Sequence, residues 1–457
     1  MIGWGTRAFE AGKSTFSRGN GSRQWTRASR LALLLGTLSL GVGCGSSTSG
    51  ASGSGGAEGG AGGASGSAAG GSGSQSSSGG TTNTQAFVVH EWGTFTSMIS
   101  AQGSLKAGAE LPGMHHEDEA LPSFVLGRSP GVDFGKAMEA LPGPVTQKME
   151  TPVLYFYSDQ ALKVDVDVTF KDGIISQWYP DASSFWPPVG EAAAFSGGNM
   201  RWQVQLAPGD TEAPIPVAED DIWAPSRKVA SVPVRAAGAI EQFIFYRGLG
   251  DFSVPLSYEV DFDSVSVKNN SEQRIPAAFY LNLHDGGGLV TPLGSIEPGG
   301  SVVAQGGPKE RDLDAYVLNA KDVVKSALVD SGLYADEAQA MVDTWAKSYF
   351  LTPGRRLLYV LPREWTDALL PIQIAPTPDQ LVRTLVGRVE LLTGDRETEL
   401  MGTLHQAFTG GGALDTGALG RFAEPQLQRA LQLDTDPAFQ SWVSDQILTL
   451  NVQTGAQ

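Results

Sequence analysis

From Leu162 to Phe170 the chain alternates without a break: Leu162, Val164, Val166, Val168 and Phe170 are apolar, while Lys163, Asp165, Asp167 and Thr169 are polar. A period of two marks a strand with one buried face. Lys171-Asp-Gly173 follows as a turn and Ile174–Tyr179 returns, which predicts a hairpin. Shorter apolar runs at Val88–Phe95, Pro152–Tyr157, Arg201–Leu206, Gln242–Arg247, Leu256–Phe262, Ala277–Leu283 and Ser301–Ala304 read as further strands. Pro and Gly punctuate them throughout.

At Pro308 the period changes. Arg311–Val329 and Ala335–Tyr349 have helical spacing, and in the second of these Ala338, Met341, Val342, Trp345 and Tyr349 form one apolar stripe. Asp336 and Glu337 load its first turn, where the helix dipole favours acids. Leu357–Leu361 and Arg383–Leu392 return to strand character. The tail from Asp395 is helical, with Pro425 opening one helix and Asp434 and Asp436 capping the last. The expected fold class is α+β: a β-rich, sandwich-like antiparallel domain with a helical-hairpin excursion and C-terminal helices. The expected boundaries are 86–307 for the β-rich domain, 308–392 for the helical hairpin and the strands completing the same fold, and 393–457 for the C-terminal helical segment.

The N-terminal region belongs to another class. Six basic residues (Arg7, Lys13, Arg18, Arg23, Arg27 and Arg30) precede the apolar run Leu31–Leu40 and then Gly41-Val-Gly-Cys44. This is the layout of a secretory signal, here residues 1–43, and the run is too short for a bilayer span, which takes about 20 apolar residues. Its end resembles the lipobox of bacterial lipoproteins, which implies that Cys44 is lipidated, although Gly41 stands where that pattern has Leu. Residues 44–85 then form the anchor cysteine and a Gly/Ser-rich tether with too little apolar surface to offset its ordering entropy. A tether of this kind spans about 35 Å. The expected location is exported and membrane-anchored, periplasmic or at the cell surface.

Cys44 is the only cysteine, so no intramolecular disulfide supports the fold. The formal net charge is −17, and the basic leader leaves the rest more acidic still. Such a balance excludes a general nucleic-acid binder. Val89-His-Glu-Trp-Gly-Thr-Phe-Thr-Ser97, Met149-Glu-Thr-Pro-Val-Leu-Tyr-Phe-Tyr157, Phe245-Tyr-Arg-Gly248, Ala340-Met-Val-Asp-Thr-Trp345 and Val386-Gly-Arg-Val-Glu-Leu-Leu392 together resemble an uncharacterised family of exported bacterial proteins. The resemblance implies a shared fold and an envelope location, and it brings no activity.

Three groups of residues could carry chemistry. His90-Glu91 and His284-Asp285 pair imidazole with carboxylate, the ligand types of Zn, Fe or Mn, and would serve a metal-dependent hydrolase or oxidoreductase if three of them converged. On a strand His90 and Glu91 face opposite sides, so only one can line a given pocket. The run His115-His-Glu-Asp-Glu119 reads as a solvated acidic loop. Arg247 ends an apolar strand and needs a carboxylate partner, for which Glu91 is available by charge, or an anionic ligand. Trp178, Tyr179 and Trp186, flanked by prolines, could stack on sugar rings, with Asp181 and Arg201 to bond the hydroxyls, although large aromatics more often fill a core. No Walker loop, dinucleotide fingerprint or nucleophile elbow is present. The leading expectation is therefore a tethered module that binds a ligand, an envelope polysaccharide or a protein partner.

Overall fold

The computed structural model describes residues 86–102, 107–116, 119–128, 144–188, 197–261, 264–284, 286–411 and 414–454. The signal, Cys44, the tether and Asp285 lie outside the described residues.

The first strands are β1 (Val88–Gln102), β2 (Ala107–Glu110), β3 (Leu126–Gly127), β4 (Gln147–Tyr157), β5 (Lys163–Phe170), β6 (Gly173–Tyr179), β7 (Ser184–Trp186) and β8 (Gly198–Leu206). After them come β9 (Val234–Ala236), β10 (Ala239–Glu241), β11 (Ile244–Gly250), β12 (Leu256–Val260), β13 (Ser264–Asn269), β14 (Ile275–His284), β15 (Gly287–Ile296) and β16 (Ser301–Gln305). Helices α1 (Leu313–Asp330) and α2 (Ala335–Thr344) follow, then a π-helical turn over Ala346–Leu351. The chain continues through β17 (Gly354–Val360), α3 (Arg363–Leu369), β18 (Ile372–Ala375) and β19 (Gln380–Leu392). It closes with α4 (Gly394–Gly410), α5 (Ala423–Leu433) and α6 (Pro437–Thr454).

β1 is the axis of the fold. It runs parallel to β19 from Val88 opposite Gln380 to Ser100 opposite Leu392, the one parallel pairing among otherwise antiparallel ladders of the described strands. Its other edge serves two neighbours, β4 along Val88–Thr96 and β2 along Ile99–Gln102. The large sheet runs β15-β14-β17-β19-β1-β2-β12-β13-β16, with β4, β11, β6 and β3 branching from β1. A smaller sheet, β10-β9-β8-β5-β18 with β7 on β8, packs against it. The α+β, sandwich-like class is thus the one the pattern predicts, with a parallel pair at its centre.

Both faces of β1 are covered. Val89, Phe95 and Ile99 join β5 and β8 side chains such as Val166 and Trp202 between the sheets. Val88 and Trp92 turn the other way, under the α1–α2 pair and its Tyr316, Met341 and Trp345. Met98 meets Leu404, Leu427 and Phe439 of the C-terminal helices. Burying each such large side chain stabilises the fold by about 1.5–3 kcal/mol, which compensates for the missing disulfides. Gly93 lies where β1 bulges against β4, and an added Cβ would stand 2.9 Å from the Pro152 Cα. That close approach ties Gly93 of the first motif to Pro152 of the second.

The predicted hairpin after Phe170 does not form. β5 pairs with β8 and β18, whereas β6 pairs with β11 and β3, so the Lys171-Asp-Gly173 turn carries the chain from one sheet to the other. Phe170 folds over Gly173, where a Cβ would come within 2.3 Å of its ring, and both strands turn their apolar faces into the same inter-sheet core. Period two fixes which face is buried and leaves the pairing partner open.

Candidate functional site

The densest polar constellation among the described residues surrounds Glu150 of β4, in the interior. Thr96 Oγ1 and Tyr349 Oη donate to Glu150 Oε2 at 2.8 and 2.9 Å, and Arg421 pairs with Oε1. The π-helical turn sets the position of Tyr349, stacked on Trp345 at 4.7 Å, with the Arg388 guanidinium 4.2 Å from the Tyr349 ring centroid. Arg388 and Arg356 both bond Glu390, at 3.1 and 3.0 Å. Burial opposes ionisation of Glu150, yet Arg421, Lys148, Arg388 and Arg247 hold its carboxyl well below the ordinary value. Burial, and then Arg421 and Lys148, lower the His115 pKa well below its ordinary value and keep its imidazole neutral. A cavity of about 20 Å³ opens here, lined by Glu150, Thr151, Arg247, Tyr349 and Arg421. Thr151 holds a left-handed φ of 48° at its wall. That volume admits one water and no substrate, so the cluster holds strands and helices together.

His115 is 1% exposed and packs its ring against Phe422, which corrects the reading of its loop as solvated. Lys148 Nζ donates to its carbonyl at 2.6 Å. Glu117 and Asp118 lie outside the described residues.

The residues expected to gather around a metal are dispersed. His90 and Glu91 do face opposite sides of β1. His90 Nδ1 lies 2.8 Å from Glu337 Oε2 on α2, and Tyr157 Oη donates to the other Glu337 oxygen at 2.8 Å. Nε2 of His90 is buried without a hydrogen-bond partner. A carboxylate on Nδ1 is what orients a metal-bound imidazole, but among the described residues no three His, Cys, Asp or Glu side chains could hold an ion. His90 stands opposite Val382 of β19. Leu283 pairs with Gly354, and Arg356 with Glu390, so His284 lies beyond the level of Leu392. About ten residues of strand, roughly 33 Å, separate the two histidines. His284 Nε2 faces Arg396 at 3.3 Å, a cation where a metal would sit.

Arg247 does not meet Glu91. Tyr246 and Arg383 take that carboxylate between the sheets, and Arg383 also reaches Asp367 at 2.8 Å. Arg247, next along β11, points to the opposite face, into the Glu150 cluster. His90, His284 and Arg247 therefore share no cleft.

Of the aromatic trio, Trp178 and Tyr179 are core residues. Trp178 packs on Phe185 between the sheets and Tyr179 on Phe124 and Trp223 on the far side, both nearly inaccessible. Trp186 is 54% exposed. Its strand is tied down by Arg128, which bonds the Trp186 carbonyl at 3.2 Å and lies over the Phe185 ring. Next to it, the solvent face of β5, β8 and β9 carries a groove of about 560 Å³, lined by Lys163, Asp165, Gln203, Gln205, Arg235 and the Ala237-Gly238 turn. Ligand clefts span about 300–1,000 Å³, so this opening has room for a ligand.

Reading the sequence missed Glu150, Glu337, Arg383, Arg388 and Arg421. One signal was present: Arg388 and Glu390 interrupt an apolar run at alternate positions, as paired charges inside a doubly covered strand do.

No protein-family model matches the chain, and no curated protein matches it. Among solved structures, the yeast delta-COP-I mu-homology domain is similar, both alone and complexed with a Dsl1 WxWxV peptide. Each match has 8% identity and a TM-score of 0.23, covering 67% of this chain and 96% of that one. That likeness is too distant to transfer a function.

Proposed function

We propose that the chain is an exported, lipid-anchored envelope protein whose β-rich part binds a ligand or partner on the outer face of the small sheet. Support for export comes from the basic leader, the short apolar run, Cys44 and the Gly/Ser tether. Support for binding comes from one observation above the rest: the 560 Å³ groove is the roomier of the two cavities described, and Lys163, Asp165, Gln203, Gln205 and Arg235 line it together with the small residues of the Ala236–Ala239 turn. Five interior carboxylates, by contrast, are held by a cation or hydroxyl: Glu91, Glu150, Glu241, Glu337 and Glu390. Their environment is that of structural pairs.

The test is site-specific crosslinking in cells that export the full chain. A photoreactive residue at Gln203 should give a discrete adduct, and the same residue at exposed Leu448 should not. Equal labelling at both positions, or none at Gln203, would overturn the binding face. In the same cells Cys44→Ser should move the protein from the membrane to the soluble fraction; unchanged fractionation would remove the lipid anchor.

A further inference from the structure

Register places a continuous polar lattice on the outer face of the small sheet. Residues directly opposite in an antiparallel pair share a face. Trp186 stands opposite Asn199, which stands opposite Thr169; Ser184 faces Arg201, Arg201 faces Asp167, and Asp167 faces Gln373. One step on, Gln203 faces Asp165, and after that Gln205 faces both Lys163 and Arg235. The intervening Met200, Trp202 and Val204 point into the core. The exposed indole therefore lies on the same surface as the groove, four residues or about 13 Å along β8 from Gln203.

The chemistry of this lattice selects its occupant. Its charges largely cancel: Arg201 lies 3.4 Å from Asp165, Arg235 bonds Asp210 and Glu212, and Asn199 donates to Asp167. A balanced face on a chain of net charge −17 attracts neither polyanions nor polycations. It offers amides, carboxylates and guanidinium groups, which together donate to and accept from hydroxyls, and one flat aromatic face at its end. We infer that this face binds an uncharged polysaccharide, laid across β8 from the Lys163–Gln203–Arg235 groove to Trp186. The distance between groove and indole calls for several linked sugar rings. This assignment rests on the binding face proposed above and names its ligand class.

The full chain is tested by affinity electrophoresis in gels containing dextran, mannan, xylan or mixed-linkage β-glucan. At least one of these should retard the wild type. Trp186→Ala and Gln203→Ala, both solvent-facing and expected to keep the wild-type melting temperature, should each weaken that retardation at least tenfold. Retardation by none of the four, or retardation unchanged in the double variant, overturns the polysaccharide. Should the Gln203 crosslink form to a protein while all four gels stay silent, the binding face stands and its ligand class falls. If the crosslink is absent as well, both fall.

Discussion

His90 of β1 and Glu337 of α2 meet at 2.8 Å with both side chains fully inaccessible to solvent. The contact joins the central strand to the helical pair across 247 residues of sequence. Tyr157 Oη and the Tyr334 backbone N–H complete the carboxylate's bonding, and Tyr334 covers the imidazole at 4.4 Å. The acid that the sequence places in a helix's first turn is thus the bolt holding that helix to the sheet.

Removing His90 leaves Glu337 with Tyr157 Oη and the Tyr334 N–H but takes away its bond to β1. His90→Ala is expected to destabilise the protein by about 1–3 kcal/mol, read as a lower denaturation midpoint with an unchanged slope. Glu337→Gln, which keeps a hydrogen-bond acceptor, should lose less. A His90→Ala variant as stable as the wild type would show that this contact holds nothing.

Glu91 and Arg383 are expected to behave as one unit. The Arg383 guanidinium is buried, which disfavours its charge, but Glu91 and then Tyr246 hold its pKa above the ordinary value. Arg383→Met alone should cost about 3–5 kcal/mol, while Glu91→Met with Arg383→Met should recover part of that loss. A double-mutant cycle with coupling below about 0.5 kcal/mol would contradict the pairing.

Acid should loosen the Glu150 cluster in a defined direction. Its folded-state carboxyl titrates well below the ordinary glutamate value of 4.5, because Arg421, Lys148, Arg388 and Arg247 outweigh the burial that opposes them. A depressed folded pKa stabilises fully above the unfolded value and is lost as pH falls from there through the folded value. Glu150→Gln should therefore destabilise at pH 7 and differ progressively less from the wild type as pH drops below 4.5. Melting temperatures measured from pH 7 to pH 3 would show the two curves converging; parallel curves would reject the linkage.

The bulge on β1 leaves no room for a side chain. Gly93→Ala should force the Pro152 backbone aside and cost about 1–3 kcal/mol, measured by the same denaturation. In Gly402→Ala, where a Cβ meets nothing within 4 Å, stability should be unchanged or higher.

Periodicity by itself determined many of the elements, although β13, β15, β18 and α3 were not among those it predicts. The alternation through Val164–Phe170, the helical stripe Ala338–Tyr349 and the buried run Leu357–Leu361 all occur where local pattern places them, because which face of an element avoids water is decided within a few residues. The same local logic set His90 and Glu91 on opposite faces of β1. What the tertiary structure alone decided is which elements meet. It sent β5 and β6 to different sheets, gave Arg247 to Glu150 and Arg383 to Glu91, and separated His90 from His284 by the length of the sheet. Such choices depend on register and on charges brought together from hundreds of residues apart, and no short window of sequence holds that information. Trp186 shows both halves: its prolines marked it along with Trp178 and Tyr179, which are buried, while its exposure and its place beside the groove follow only from the fold and the pairing of β7 with β8.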